Sequence, residues 1–457
     1  MPADAIEPLY TTEHANDIIP LFDEYEMELR SPMGLIFGTV NIEFRWEPIK
    51  SLHFELKPAA GTNIFQLDAL VGQDAVLNIP ANPPISLDVR INRHGVELNA
   101  GSMPIGKLGG LTFATRFDEE IFCDELKFHI ANLHEYFGER ITYPSQSSAA
   151  RRIALSDDNW AITIDGVENL KELLNELGRE GGYGITHVGV LRKRNNQPFK
   201  VAEALEQIKQ LGFFLSFVEG RWCHPKFLIG MRNGEIVFRD LSARGRITQW
   251  DHNWRWSPSK ANDLDIAYKG FVSKWNDPNL KETIVMILEF YIRANIYHVV
   301  ELSVFDSFTA MDRIASMYSL ENVRVASERI RQALERAGLD TQRPERKLCT
   351  FYEDFYTRHC PRKTADGATI LTDFRHGVDH GNKAIVPGDI KNRPKLDDDG
   401  DASNPLLPFP LRIAAQEFGL WCVEMSLLYL IRYNGRYSDR ITKAQDIPIR
   451  WSRSFAT

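Results

Sequence analysis

The sequence predicts a multidomain α+β protein with a β-rich N-terminal region of sandwich or barrel type, a mixed α+β middle and an all-helical C-terminal bundle. Three observations carry that expectation. The chain has 457 residues, 43% of them hydrophobic, enough for two or three cores when a single domain holds roughly 100 to 200 residues. Its texture changes near Pro278, because Asn279 to Ala337 contains neither glycine nor proline whereas the preceding part is punctuated by both. Before that point short apolar runs alternate with turn signals, and after it apolar residues recur near the helical period. The expected divisions are residues 1–150, 151–276 and 277–457.

In chain order, Leu35 to Phe44, Ser51 to Leu56 and Ile85 to Ile91 read as strands, with Ala60-Gly61-Thr62-Asn63 as a turn between them. The middle region opens with a strand, Trp160 to Ile164, and a helix over Val167 to Leu174. A second helix over Ala202 to Val218 stops at Glu219-Gly220, and Arg232-Asn233-Gly234 is a hairpin signal between Phe227 to Met231 and Glu235 to Phe238. Asn279 to Tyr318 carries Ile284, Ile287, Leu288, Tyr291, Phe305, Phe308 and Met311 at near-helical spacing, as one long helix or two. Leu320 to Ala337 continues with a charged face, Gly338 is its stop, and Leu411 to Tyr433 reads as a final amphipathic helix.

Charge and composition narrow the function. A formal charge of -8 excludes a broadly basic surface that coats nucleic acid, so any such contact is confined to a cleft. The five cysteines are odd in number and lack paired spacing, which predicts a reduced, cytoplasmic setting. The start, Met1 to Glu7, lacks the basic and apolar regions of a signal peptide, and no apolar run approaches the roughly 18 residues that span a bilayer, so no membrane partner is expected. Cys349, His359, Cys360, His376 and His380 do not form a zinc module, since the two cysteines lie eleven apart without CxxC or HxxxH pairing. Asp397 to Asp401 lacks the glutamate of a calcium loop, its twelfth position being Pro408. With no phosphate loop and no GxGxxG turn, ATPase and dehydrogenase chemistry has no support, and no cofactor or metal is expected.

The chemistry concentrates in Phe374-Arg375-His376-Gly377-Val378-Asp379-His380-Gly381. Arginine offers a permanently charged planar fork for phosphate, and histidine moves protons near neutral pH. Spacing alone is a poor guide, because Arg293 with His298 repeats the interval and Arg246 with His252 is one residue longer. Context separates them. Arg293 lies mid-helix among Ile287, Leu288, Ile292 and Ile296, where a residue five positions on points about 140° away. Arg375 is instead followed by a polar residue, its second histidine by a glycine, and the whole by a loop and a long helix. Asp312 on its helix reads equally as a site residue or as a solvated, salt-bridged one. Thr186 and His187 are read as strand-terminating residues, Arg192-Lys193-Arg194 as a solvated basic turn, and Trp222, Trp250, Trp254 and Trp256 as core or interface anchors.

The stretch ending Phe308-Thr309-Ala310-Met311-Asp312-Arg313, the run Phe374 to Gly381 and the segment Tyr433 to Arg440 together resemble a HEPN domain, most like the ApeA-type bacterial group. Gly184 to Gly189 and Leu211 to Gly220 resemble segments that precede HEPN in such proteins, so the likeness spans about residues 150 to 445. The family motif, an arginine, a polar residue, three further residues and a histidine, falls on Arg375, His376 and His380, while Asp312 stands where members often carry glutamate.

The resemblance implies a metal-independent endoribonuclease that works as a homodimer with a composite cleft, a toxin-like effector of antiphage defence and abortive infection, triggered by a phage-derived or host protein. In RNA cleavage the 2′-hydroxyl attacks the adjacent phosphorus, which requires proton removal, protonation of the leaving oxygen and a cation for the extra charge. His380 suits the proton transfer, Arg375 the phosphorane charge and His376 a supporting or second acid role, with 2′,3′-cyclic phosphate ends as product. The alternatives are a non-catalytic HEPN dimerisation or adaptor module and a nucleotide-transfer partner or antitoxin-type binder.

Overall fold

A computed structural model describes residues 2–47, 50–59, 62, 69–97, 105–116, 118, 120–241, 245–251, 255–296, 299–320, 322–339, 366–379, 409–449 and 451. The chain divides into two compact units, one of residues 1–215 with 222–252 and one of residues 216–221 with 253–457.

The first unit begins with a short strand, β1 (Ala3–Asp4), and then a closed six-stranded barrel of β2 (Ile19–Ser31), β3 (Gly34–Arg45), β4 (Ser51–Pro58), β5 (Asp74–Ile79), β6 (Ile85–Glu97) and β7 (Ile105–Arg116). Closure in the order β2-β3-β4-β7-β6-β5 pairs every strand on both sides, which removes exposed edges. Alternate strand residues fill the interior: Val40, Ile42, Phe54, Leu56, Leu77, Leu87, Val89 and Ile91 are all buried. The barrel expectation is thus met. The turn expected at Ala60 to Asn63 lies mostly outside the described residues.

Around the barrel in sequence, β1 joins β9 (Glu125–Ala131), β10 (Glu139–Thr142), β11 (Ser148–Ser156), β12 (Trp160–Gly166), β13 (Ile185–Lys193), β15 (Lys226–Arg232) and β16 (Glu235–Asp240) in an eight-stranded sheet of order β1-β10-β11-β12-β13-β9-β15-β16. Two further strands, β8 (Phe122–Cys123) and β14 (Phe199–Lys200), pair with each other. The β15–β16 turn is the one the sequence predicts: Asn233 and Gly234 hold φ of 53° and 85°, the two positive values that a tight hairpin turn requires. Helix α1 (Leu170–Glu180) buries Leu170, Leu173 and Leu177. It starts three residues later than the sequence suggests, because the Val167 amide is engaged with the Thr186 carbonyl of β13. Helix α2 (Val201–Glu219) matches its expected span and ends at Gly220, whose φ is 65°.

The second unit is helical: α3 (Ala261–Trp275), α4 (Lys281–Ile296), α5 (Val300–Met317), α6 (Ala326–Arg336), α7 (Gly367–Asp379) and α8 (Phe409–Leu430), followed by the short pair β17 (Arg436–Tyr437) and β18 (Ile447–Pro448). The long apolar run after Pro278 is two helices, and α3 shows that helical structure begins ahead of that proline. Helix α8 corrects the expectation of an amphipathic helix. From Phe418 to Leu428 every residue is buried, so α8 is apolar on all sides, as befits a helix enclosed by others. It packs against α4, α5 and α7. Close approach at one end depends on Gly270 of α3, where a Cβ would lie 2.0 Å from the Ile431 carbonyl oxygen. Among the described residues no helix is long and apolar enough to cross a membrane.

Candidate functional site

The predicted motif sits on α7, and the local sequence explains why a helix forms there. Asp366 caps it, its Oδ1 accepting the Thr369 amide at 2.8 Å. Ala368, Leu371, Thr372 and Phe374 are buried at helical spacing. Gly367 lets α8 come close, since a Cβ there would meet the Phe418 ring at 2.2 Å. Asp366 also accepts the Arg331 Nε at 2.6 Å, which fastens the start of α7 to α6.

Arg375 is therefore the ninth residue of a thirteen-residue helix. The sequence reading set Arg375 apart from Arg293 by placing only the latter mid-helix; both are helical. Gly377 does not break α7, because its helical cost of about 1 kcal/mol is outweighed by the buried stripe that docks the helix. His376 follows on the same helix, turned about 100° from Arg375 around its axis. His380 lies outside the described residues, as do His298, His252 and the residues once drawn as zinc or calcium ligands at Cys349, His359, Cys360 and Asp397 to Asp401. Among the described residues no cluster of metal-ligating side chains occurs.

Arg375 is half-buried, with its guanidinium carbon 5.3 Å from the centre of the Phe308 ring on α5. Asp312 stands one turn along from Phe308 on the same face of α5. The structure thus brings Arg375 toward the face that carries Asp312. Asp312 is itself ion-paired with Arg329 of α6, with 37% of its side chain exposed. Arg375 thus lies against Phe308, and Asp312, one turn further along α5, is held by Arg329. Arg293, the rival pair's arginine, is committed elsewhere, 3.2 Å from Asp306.

One buried cluster escaped the sequence reading. Arg440 and Glu424 are each 2% exposed, and Glu424 Oε1 accepts Arg440 Nη2 at 2.6 Å, Arg440 Nε at 3.1 Å and the Tyr291 hydroxyl at 2.9 Å. Arg440 Nη2 also donates to Asn295 Oδ1 at 2.7 Å, and Asn295 Nδ2 donates to the Gly220 carbonyl at 2.8 Å. Burial pushes the Glu424 carboxyl up, against the opposing pull of Arg440 and Tyr291. The buried cluster fastens the C-terminal segment to α4 and α8, and Arg440 pairs further with the partly exposed Glu417 at 3.3 Å. The signal for it was present: Glu424 is the one charge in the apolar run Phe418 to Ile431.

The other residues weighed in the sequence fall in the first unit. Thr186 and His187 are buried near the start of β13, where Thr186 Oγ1 accepts the Leu133 amide at 2.9 Å. Arg192 pairs with Glu125, Lys193 with Glu203, and Arg194 donates to the Asp157 carbonyl, so the basic run is occupied by local contacts.

Residues 277–449, which contain α4 to α8 and Arg440, match the family model of the YopA C-terminal domain, and residues 118–253 match that of the YopA central domain. The chain is similar to YopA. The SPbeta prophage-derived uncharacterized protein YopA of Bacillus subtilis (strain 168) is 23% identical over 454 residues, covering 96% of this chain and 95% of the relative. The YopA central match covers β8 to β16, which include every strand of the eight-stranded sheet except β1, and the C-terminal match covers the bundle that holds Arg375 and Asp312. No solved structure matches the chain.

Proposed function

We propose that this protein is a metal-independent endoribonuclease of HEPN type that acts as a homodimer, with Arg375, His376 and His380 facing a composite cleft. The observation that carries the reading is the half-buried Arg375 guanidinium, presented by a docked helix of the largely helical unit beside the face of α5 that bears Asp312. In this reading Arg375 holds the charge that builds on phosphorus as the 2′-hydroxyl attacks. His380 transfers the proton, and His376 assists as a second acid. Asp312, through Arg329, steadies the cationic wall rather than touching substrate. The products carry 2′,3′-cyclic phosphate ends, and DNA, lacking the nucleophile, resists. A role as a regulated toxin in phage–host conflict accords with the prophage origin stated for the Bacillus subtilis relative.

A second reading, a non-catalytic helical adaptor, is favoured by one observation: Arg375 and Asp312 both already make contacts that a scaffold would use, with Phe308 and Arg329. Expression in a bacterial host separates the two. Growth arrest by the wild type that is relieved by Arg375→Ala and by His380→Ala, at equal protein level and with the dimer retained, supports the nuclease. Arrest that persists in both variants rejects it.

A further inference from the structure

The first unit contains a cavity of about 510 Å³ lined by Lys50, Lys226, Arg246, Tyr183, Trp222 and Thr248, among others. That volume falls within the range of roughly 300 to 1,000 Å³ typical of small-molecule sites. Among the described residues, three cationic side chains line it and no carboxylate does. For a chain of formal charge -8, such a gathering of cations in a concave place is a local inversion of the protein's own field.

Each cation is held by the fold. Lys50, just ahead of β4, donates from Nζ to the Tyr183 hydroxyl at 2.9 Å and to the Ile247 carbonyl at 2.8 Å, which uses two of its three protons. Its ammonium sits 4.7 Å from the centre of the Tyr183 ring, and the other side of this cage is Trp46, stacked on Tyr183 at 5.3 Å. Lys226 opens β15 and is only 5% exposed. Burial pulls its ammonium down to about 7, with the attraction of Asp240 opposing and the repulsion of Lys50 adding to the fall. Arg246 lies with its guanidinium carbon 4.6 Å from the Trp222 ring centre. The backbone beneath it is pinned: the His224 amide donates to the Arg246 carbonyl at 3.1 Å, and the Thr248 amide to the Trp222 carbonyl at 2.9 Å. His224 adds no charge, because burial, and then Lys226 and Arg246, pull its imidazole down to about 3.

The rings of Tyr183 and Trp222 each have a cation against them, which orients that charge. Holding a nearly buried lysine beside a second lysine and an arginine is costly with Asp240 as the opposing acid, and a bound anion offsets that cost. We infer that this cavity is a binding site for a phosphorylated small molecule bearing at least two negative charges. Its volume leaves room for an organic portion beyond the phosphates, and the site is separate from the Arg375 region, which lies in the other unit.

The test is calorimetric titration of the full chain with pyrophosphate, ATP, citrate and adenosine. Saturable one-to-one binding of pyrophosphate or ATP, with adenosine silent, is expected, and Lys226→Met and Arg246→Gln each weaken it by about tenfold or more. Pyrophosphate binding as well as ATP assigns the site to the phosphates alone, whereas tighter ATP binding assigns the remaining volume to the nucleoside. Absence of saturable binding by both, binding of citrate in preference to both, or binding unchanged in a folded Arg246→Gln variant overturns the assignment. Because Lys226→Met leaves Asp240 without its cation and can unfold the unit, Arg246→Gln, at the cavity wall, decides the case by itself.

Discussion

At the scale of single residues, the sharpest consequences concern buried charge. Arg440 and Glu424 are both buried, so removing the arginine leaves the Glu424 carboxylate without its guanidinium partner. Arg440→Met should cost about 3–5 kcal/mol in denaturant unfolding, and the double variant Arg440→Met/Glu424→Leu should recover most of that loss. An additive double variant would show that the pair is not coupled. His129 makes a second case. Its Nε2 accepts the Leu9 and Tyr10 amides, each at 3.2 Å, while Nδ1 faces the Phe227 carbonyl at 3.3 Å. Only the neutral ring with its proton on Nδ1 satisfies all three, in accord with burial pulling His129 down to about 4. The unfolded chain, with this histidine near 6.5, takes up a proton that the fold refuses. Stability is therefore complete above about pH 6.5 and is lost as pH falls toward 4, by about 1.4 kcal/mol per pH unit for one such group. His129→Gln, which keeps an acceptor without the titration, should flatten the acid limb of a stability profile. Glu424 stood out as a lone charge in an apolar run, but the partners were not legible beforehand, because a buried histidine or glutamate does not name the amide or guanidinium that meets it in space.

At the scale of elements, sequence and structure agree where a period is long and punctuated. The barrel strands, α2 with its stop at Gly220, and the Asn233-Gly234 hairpin each follow from local signals that act on their own neighbours. The misjudged element is α7. Its sequence was set apart from the mid-helix context of Arg293, whereas the stripe Ala368, Leu371 and Phe374, with a cap at Asp366, makes helix the lower-energy choice through Asp379. Asp366→Ala should thus cost about 1–2 kcal/mol, since it removes the cap and the Arg331 pair together. If α7 aims Arg375 at substrate, the same change should also lower cleavage while leaving RNA affinity nearly intact. Gly270→Val tests the bundle: with the Ile431 carbonyl 2.0 Å from a Cβ, backbone must shift, and a loss of about 1–3 kcal/mol or more is expected in the thermal transition of the helical unit.

At the scale of the whole molecule, the charge of -8 and the two compact units frame the functional reading. A nuclease on an acidic chain would confine RNA contact to a small place, and the proposal puts that place at Arg375 beside Phe308. The motif around Arg375 was singled out because its residue types are few and their chemistry specific. The cavity of Lys50, Lys226 and Arg246 was not, because nearly two hundred residues separate its first and last cations and no spacing rule joins them. The most direct test of the central claim is incubation of purified wild type and Arg375→Ala/His380→Ala with structured RNA in excess EDTA, followed by analysis of the new 3′ ends. The account predicts 2′,3′-cyclic phosphate ends from the wild type alone, with the variant slower by at least about 10²-fold. Equal cleavage by both proteins, or cleavage by the wild type that EDTA abolishes, would contradict it.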